Sequence, residues 1–96
     1  MTEKARAHIF ISGRVQGVGL RTIVLKKAVK LNLTGWIRNL LDERVEMVLE
    51  GEKEVIEKLV EEIKQIKQGV FSVIIKNIII DWQKNIKEFK NFEIKR

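Results

Sequence analysis

The 96-residue chain contains no cysteine, which excludes disulfides, thiolate metal sites and the chemistry of cysteine phosphatases. Proline is absent as well. Together with the abundance of Ile, Lys and Glu this follows a compositional trend of heat-stable proteins, but AT-rich genomes yield the same composition, so it assigns no growth temperature. Histidine occurs once, at His8. No cluster of His and carboxylates has metal-ligand spacing, so neither a metal nor a cofactor is expected. No stretch approaches the roughly 18 to 20 uninterrupted apolar residues of a membrane span, and the longest apolar passages, such as Ile78-Ile79-Ile80, have strand length. Met1-Thr2-Glu3-Lys4-Ala5-Arg6 runs straight into a strand pattern without a signal-peptide cleavage site, which makes the cytoplasm the expected location.

What is present describes an ordinary small globular protein. Hydrophobic residues make up 45% and charged residues 33%, too patterned for disorder, and the length suits a single domain over 1–96 with one core. The net charge of +6 invites a nucleic-acid reading. The lysines, however, are dispersed: Lys26, Lys27 and Lys30 on one helical pattern, Lys64 and Lys67 on another, Lys84, Lys87, Lys90 and Lys95 near the end. Solvated faces account for them, which argues against a nucleic-acid partner, while the overall charge suits small anionic substrates.

Periodicity divides the chain. Ala7 to Arg14 alternates, with Ile9 and Ile11 on one face and His8, Phe10 and Ser12 on the other, and reads as a strand. Val24, Leu25, Ala28, Val29 and Leu31 predict a helix over about 22–31, stopped near Asn32. A strand is expected from Thr34 to about Leu40, a turn at Asp42-Glu43, and a second strand in which Val45, Met47 and Leu49 alternate with Glu46 and Glu50. Val55, Ile56, Leu59, Val60, Ile63 and Ile66 predict a helix over 52–67, broken at Gln68-Gly69. A strand from about Ser72 to Trp82 follows, irregular near Lys76-Asn77 where the alternation slips, and Phe92-Glu93-Ile94 reads as a short edge strand. The order βαββαβ with a late extra strand predicts the α+β class: a ferredoxin-like α/β sandwich with a mainly antiparallel sheet and two helices on one face.

Between the first strand and the first helix lies Gly13-Arg14-Val15-Gln16-Gly17-Val18-Gly19-Leu20-Arg21. Glycines let a backbone turn sharply enough to aim several N–H groups at one point. Such a concavity, continued by a helix N-terminus, binds anions, and an arginine at its end adds an always-charged fork suited to phosphoryl oxygens. The stretch is neither a GxxxxGK(S/T) phosphate loop, because Leu20-Arg21-Thr22 follows Gly19, nor a dinucleotide fingerprint. The candidate phosphate-binding loop is therefore Gln16, Gly17, Val18, Gly19, Leu20 and Arg21. Asn39, at the end of the second strand, is either an ordinary residue before a turn or an amide able to give and accept hydrogen bonds beside the loop. His8 reads as a structural or solvent-facing strand residue, Glu61-Glu62 as a solvated helix face, and Arg14 and Arg38 as supporting charges.

The same stretch closely resembles the first signature of acylphosphatases, G-x-V-Q-G-V-x-(F/M)-R. Gly35-Trp36-Ile37-Arg38-Asn39-Leu40-Leu41-Asp42-Glu43-Arg44-Val45 echoes the second, approximately G-W-V-R-N-x-x-x-G-x-V. The resemblance implies a hydrolase that cleaves the carboxyl–phosphate bond of small acyl phosphates to a carboxylate and inorganic phosphate without a metal. It implies that Arg21 binds the phosphate, or another oxyanion in the cradle, and that Asn39 orients the attacking water. The pattern departs at Leu20, which replaces an aromatic or methionine and is expected to loosen the underside of the cradle, at Thr22, where an aromatic is common, and at Glu43, which replaces a glycine. If Glu43 needs a left-handed backbone, the cost is on the order of 1 kcal/mol. The alternative is a catalytically weak module of the same fold that binds an anion, RNA or a protein partner; among RNA-stacking aromatics only Phe10 is an obvious candidate. Ile74 and Ile79 make the late strand apolar on both faces, so the expected state is a monomer or a weak homodimer.

Overall fold

A computed structural model describes residues 3–66 and 73–95. The described residues form strands β1 (Lys4–Arg14), β2 (Thr34–Asn39), β3 (Val45–Glu52), β4 (Ile74–Lys84) and β5 (Phe92–Ile94), with helix α1 (Leu20–Lys30) between β1 and β2 and helix α2 (Lys53–Lys64) after β3. They make one sheet in the order β4-β1-β3-β2-β5. All pairings are antiparallel except that of β5, which runs parallel to β2. The ferredoxin-like sandwich read from the element order is the observed fold.

Period-two alternation points Ala7, Ile9 and Ile11 of β1, Ile37 of β2, and Val45, Met47 and Leu49 of β3 into a common core. The helices close over it. Leu20, Val24 and Ala28 recur at four-residue spacing on α1, and Ile56, Leu59, Val60 and Ile63 form the buried stripe of α2. Each fully buried Ile or Leu contributes about 1.5–3 kcal/mol, so this stripe-on-sheet contact dominates the stability of the fold.

Helix α1 begins at Leu20, two residues before the sequence estimate, because Gly19 at φ 81° is its N-cap and Leu20 already packs in the core. It ends where Asn32 adopts φ 58°. Asn32 N–H donates to Val29 O at 3.1 Å and Leu33 N–H to Ala28 O at 2.9 Å, the paired bonds of a Schellman stop. Helix α2 ends at Lys64 rather than near 67. The Gln68-Gly69 break and the Ser72 strand start lie outside the described residues. The slip expected at Lys76-Asn77 is a register shift: Ser12 faces Asn77 but Gly13 faces Ile75, leaving Lys76 as the extra residue of a bulge.

Strand β3 is buried on both faces. On the face away from the helices, Glu46 pairs with His8 and Arg38, while Glu50 accepts the backbone N–H groups of Ile86 and Glu88 at 3.1 and 2.8 Å. Glu50 thus holds the segment that carries the chain from β4 at one sheet edge to β5 at the other. That crossing delivers Ile94 and Lys95 to the end of β2 where Asn39 lies. No helix among the described residues is long and apolar enough to cross a membrane.

Candidate active site

The five residues between β1 and α1 begin with Val15, which is only 1% exposed and fixes the loop to the core. Gly17 and Gly19 then adopt φ 74° and 81°, and an added Cβ at either would meet no atom within 4 Å. Glycine is required there by backbone angle rather than by crowding. The left-handed turn at Gly19 starts α1 with Ile23 N–H donating to Gly19 O at 3.1 Å. The N–H groups of Leu20, Arg21 and Thr22 precede that bond and belong to the donors a helix cannot satisfy from within. Among the described residues no side chain caps them, and the first turn contains no acid. The positive end of the helix dipole is therefore left uncompensated.

A cavity of about 620 Å³ opens over this turn, lined by Val15, Gly17, Gly19, Leu20, Arg21, Thr22, Asn39, Ile94 and Lys95. Among the described residues no carboxylate lines it. Arg21 is half-buried and forms no ion pair among the described residues. A guanidinium and a helix N-terminus without a counter-charge share one concavity, an arrangement that favours a compact anion with several oxygens.

Asn39 reaches this cavity by strand periodicity. Gly35, Ile37 and Asn39 share the helix-facing side of β2, and Asn39 is the last of them, just where α1 begins. Its Oδ1 is buried and has no hydrogen-bond partner among the described residues. Leaving such an atom unpaired costs about 1–3 kcal/mol, so a residue of the cavity wall carries an acceptor whose hydrogen-bonding capacity the described residues leave unused.

Of the other sequence-chosen residues Leu20 also lines the cavity, while the side chains of Val18 and Gln16 turn elsewhere. Val18 is half-buried against the core cluster, and Gln16 lines a neighbouring cavity with Arg14, Glu43 and Lys76. Gln16 Nε2 donates to Leu40 O at 2.7 Å and to Arg44 O at 2.9 Å in the β2–β3 hairpin. Leu20 is fully buried in the core, so its side chain anchors the helix start instead of leaving it loose. Glu43 does adopt a left-handed conformation, at φ 75°. The tip around it is held from within: the Arg44 backbone N–H and guanidinium both donate to Asp42, lowering the Asp42 pKa, the backbone bond first. Sequence reasoning missed Thr22, Ile94 and Lys95 as cavity walls. Ile94 and Lys95 arrive only through the parallel β5–β2 pairing, locked by Lys95 N–H donating to Ile37 O at 2.8 Å.

On the opposite face of the sheet, His8 Nε2 lies 2.7 Å from Glu46 Oε2, and Arg38 Nε donates to Glu46 Oε1 at 2.6 Å. Burial opposes the charge of Glu46, but these two donors outweigh it and hold its carboxyl below the ordinary value. Trp36 also lies on that face, with the Arg38 guanidinium 5.2 Å and the Lys95 ammonium 4.7 Å from its ring centre. His8, Arg38 and Trp36 therefore brace the sheet behind the site.

The acylphosphatase family model matches residues 7–94. An acylphosphatase of Pelotomaculum thermopropionicum is 43% identical over 91 residues, covering 95% of this chain and 96% of that protein. One from a Nostoc species is 38% identical over 91 residues, covering 95% of this chain and 86% of its own. The crystal structure of Bacillus subtilis acylphosphatase superposes with a TM-score of 0.86 at 33% identity, covering 96% of this chain and 99% of that one. The match spans both glycine-bearing motifs and the strand that closes the cavity, and with it the chain belongs to the acylphosphatase family.

Proposed function

We propose that this chain hydrolyses small acyl phosphates at the Arg21–Asn39 cavity without a metal ion. The observation that carries the proposal is that Asn39, whose buried Oδ1 has no hydrogen-bond partner among the described residues, lines the same cavity as Arg21 and the uncapped start of α1. The phosphoryl oxygens sit on the Arg21 guanidinium and the N–H groups of the Gly17–Arg21 turn, which spread and neutralise their charge. Asn39 Oδ1 accepts a hydrogen bond from a water and turns its lone pair towards phosphorus, in line with the acyl oxygen. The water oxygen bonds to phosphorus, the phosphorus–acyl oxygen bond breaks, and the electron pair leaves with a carboxylate. The water proton passes to the phosphate product or to solvent. A carboxylate is a weak base and departs without a strong general acid, so binding and alignment suffice.

Benzoyl phosphate hydrolysis in the presence of EDTA tests this reading. Arg21→Ala is expected to lose inhibition by phosphate and turnover together, turnover by about 10³ or more, the worth of an arginine on a transferring phosphoryl group. Asn39→Ala is expected to retain phosphate inhibition while kcat falls about 10² to 10³, as for one preorganised polar contact. Near-full turnover in Asn39→Ala removes the water-positioning role, and loss of activity in EDTA removes metal independence.

A further inference from the structure

Gln16 belongs to the loop by sequence, but its side chain leaves the cavity. We infer that Gln16 is a positioning residue that sets Asn39 against the cradle by clamping the β2–β3 hairpin. This rests on the proposed role of Asn39.

Both partners of the Gln16 carboxamide are carbonyl oxygens, Leu40 O at 2.7 Å and Arg44 O at 2.9 Å. Only the amino end of the amide can face them, and its two hydrogens serve one carbonyl each. Each carbonyl already has one backbone donor: Arg44 O accepts Leu40 N–H at 2.8 Å, and Leu40 O accepts Glu43 N–H at 3.2 Å. Gln16 takes the second lone pair of each and so completes the base of the hairpin. Leu40 directly follows Asn39, and Asn39 is paired with Val45, next to Arg44. The clamp therefore grips the chain immediately on either side of the Asn39–Val45 pair.

Core packing does not hold the tip of this hairpin, although the Arg44 guanidinium lies 4.7 Å from the centre of the Phe10 ring at its base. Leu41, Asp42 and Glu43 are exposed, Leu41 completely, and Glu43 stands in the left-handed region. The loop end of the clamp is firm, since Val15 beside Gln16 is buried in the core. Hydrogen bonds from Gln16 thus tie the loop that leads to Arg21 directly to the end of the segment bearing Asn39. An error near 1 Å in such a placement costs up to about a hundredfold in rate.

The test is a double-mutant cycle on Gln16→Met, which keeps length and volume but has no donor. Benzoyl phosphate kinetics and phosphate inhibition are measured in the wild type and in Asn39→Ala. The expected result is a fall in kcat of about ten- to a hundredfold with phosphate inhibition within about twofold, and less than about threefold further loss in the Asn39→Ala background. An equal loss in both backgrounds overturns the inference, because Gln16 then acts on something other than Asn39. A parallel loss of phosphate inhibition also overturns it, since the side chain then shapes the cradle. If Asn39→Ala alone keeps full turnover while Gln16→Met is impaired, the water-positioning role fails and takes this inference with it. Gln16→Glu provides the same reading should Gln16→Met not fold. Its carboxylate faces two carbonyl oxygens and repels them, but the protonated acid donates one bond. Its kcat relative to wild type is expected to rise as pH falls from about 8 to about 5, and a flat ratio overturns the clamp.

Discussion

Five residues separate β1 from α1, whereas β3 passes into α2 without any, Glu52 ending the strand and Lys53 opening the helix. At α1 the N-cap is a left-handed glycine, the first turn has no acid, and the free N–H groups open onto a cavity. At α2 the N-cap is an extended Glu52, Glu54 lies in the first turn, and Lys53 N–H donates to Glu3 O at 2.7 Å. Neither helix has a side-chain cap among the described residues. The fold thus contains one helix start whose charge is answered by the protein and one whose charge the described residues leave unanswered. A glycine loop and a missing carboxylate account for the difference, not the strand-to-helix architecture the two starts share.

The sharpest way to break the contrast is to make α1 resemble α2. Thr22 is exposed, lies in the first turn of α1 and lines the cavity. Thr22→Glu places a carboxylate where the phosphoryl group is proposed to sit. Two like charges about 5 Å apart at an effective dielectric near 20 repel by about 3 kcal/mol, so KM for benzoyl phosphate is expected to rise by about a hundredfold or more. The same carboxylate answers the helix dipole and adds about 0.3–1 kcal/mol of stability. Activity falling while the thermal midpoint rises by a few degrees is the signature. An unchanged KM removes the first turn of α1 from the site. A smaller effect is expected from Gly19→Ala. Space is open around the new methyl, so the cost is the left-handed backbone alone, about 1–2 kcal/mol, read as a lower denaturant midpoint at unchanged slope.

Much of this contrast was legible before any coordinates. The glycine spacing ending in Arg21 marked α1 as the unusual start, and Asn39 read as the end of the second strand, beside that loop. The structure brings Arg21 and Asn39 to one cavity. Side-chain direction within a loop was not legible: Gln16 entered the candidate loop for its backbone N–H, and no periodicity governs where its amide turns. The roles of Glu46 and Glu50 were also hidden. Both alternate with apolar residues, which reads as a solvated face, yet β3 is the central strand and residues 85–91 fold over Glu50. Ile94 and Lys95 became cavity walls through a three-residue parallel pairing, and long-range pairing of so short a strand leaves no pattern in sequence.

The smallest effect comes from the opposite substitution, Glu54→Gln in α2. Glu54 is exposed and its only assigned task is to answer the α2 dipole. Removing the charge while keeping the shape is expected to cost about 0.3–1 kcal/mol. Most of that difference should vanish in about 1 M salt, where screening operates within roughly 3 Å. Because Glu54 does not line the cavity, kcat and KM for benzoyl phosphate are expected to match wild type at every salt concentration. The pairing with Thr22→Glu is what gives the result its force. If a charge in the first turn of α1 changes binding and stability in opposite directions, and the loss of one in α2 changes stability alone, the two starts differ in use and not merely in sequence. If Glu54→Gln alters turnover, the dipole of α2 communicates with the cavity through β3, and the assignment of one helix start to structure and the other to chemistry is wrong.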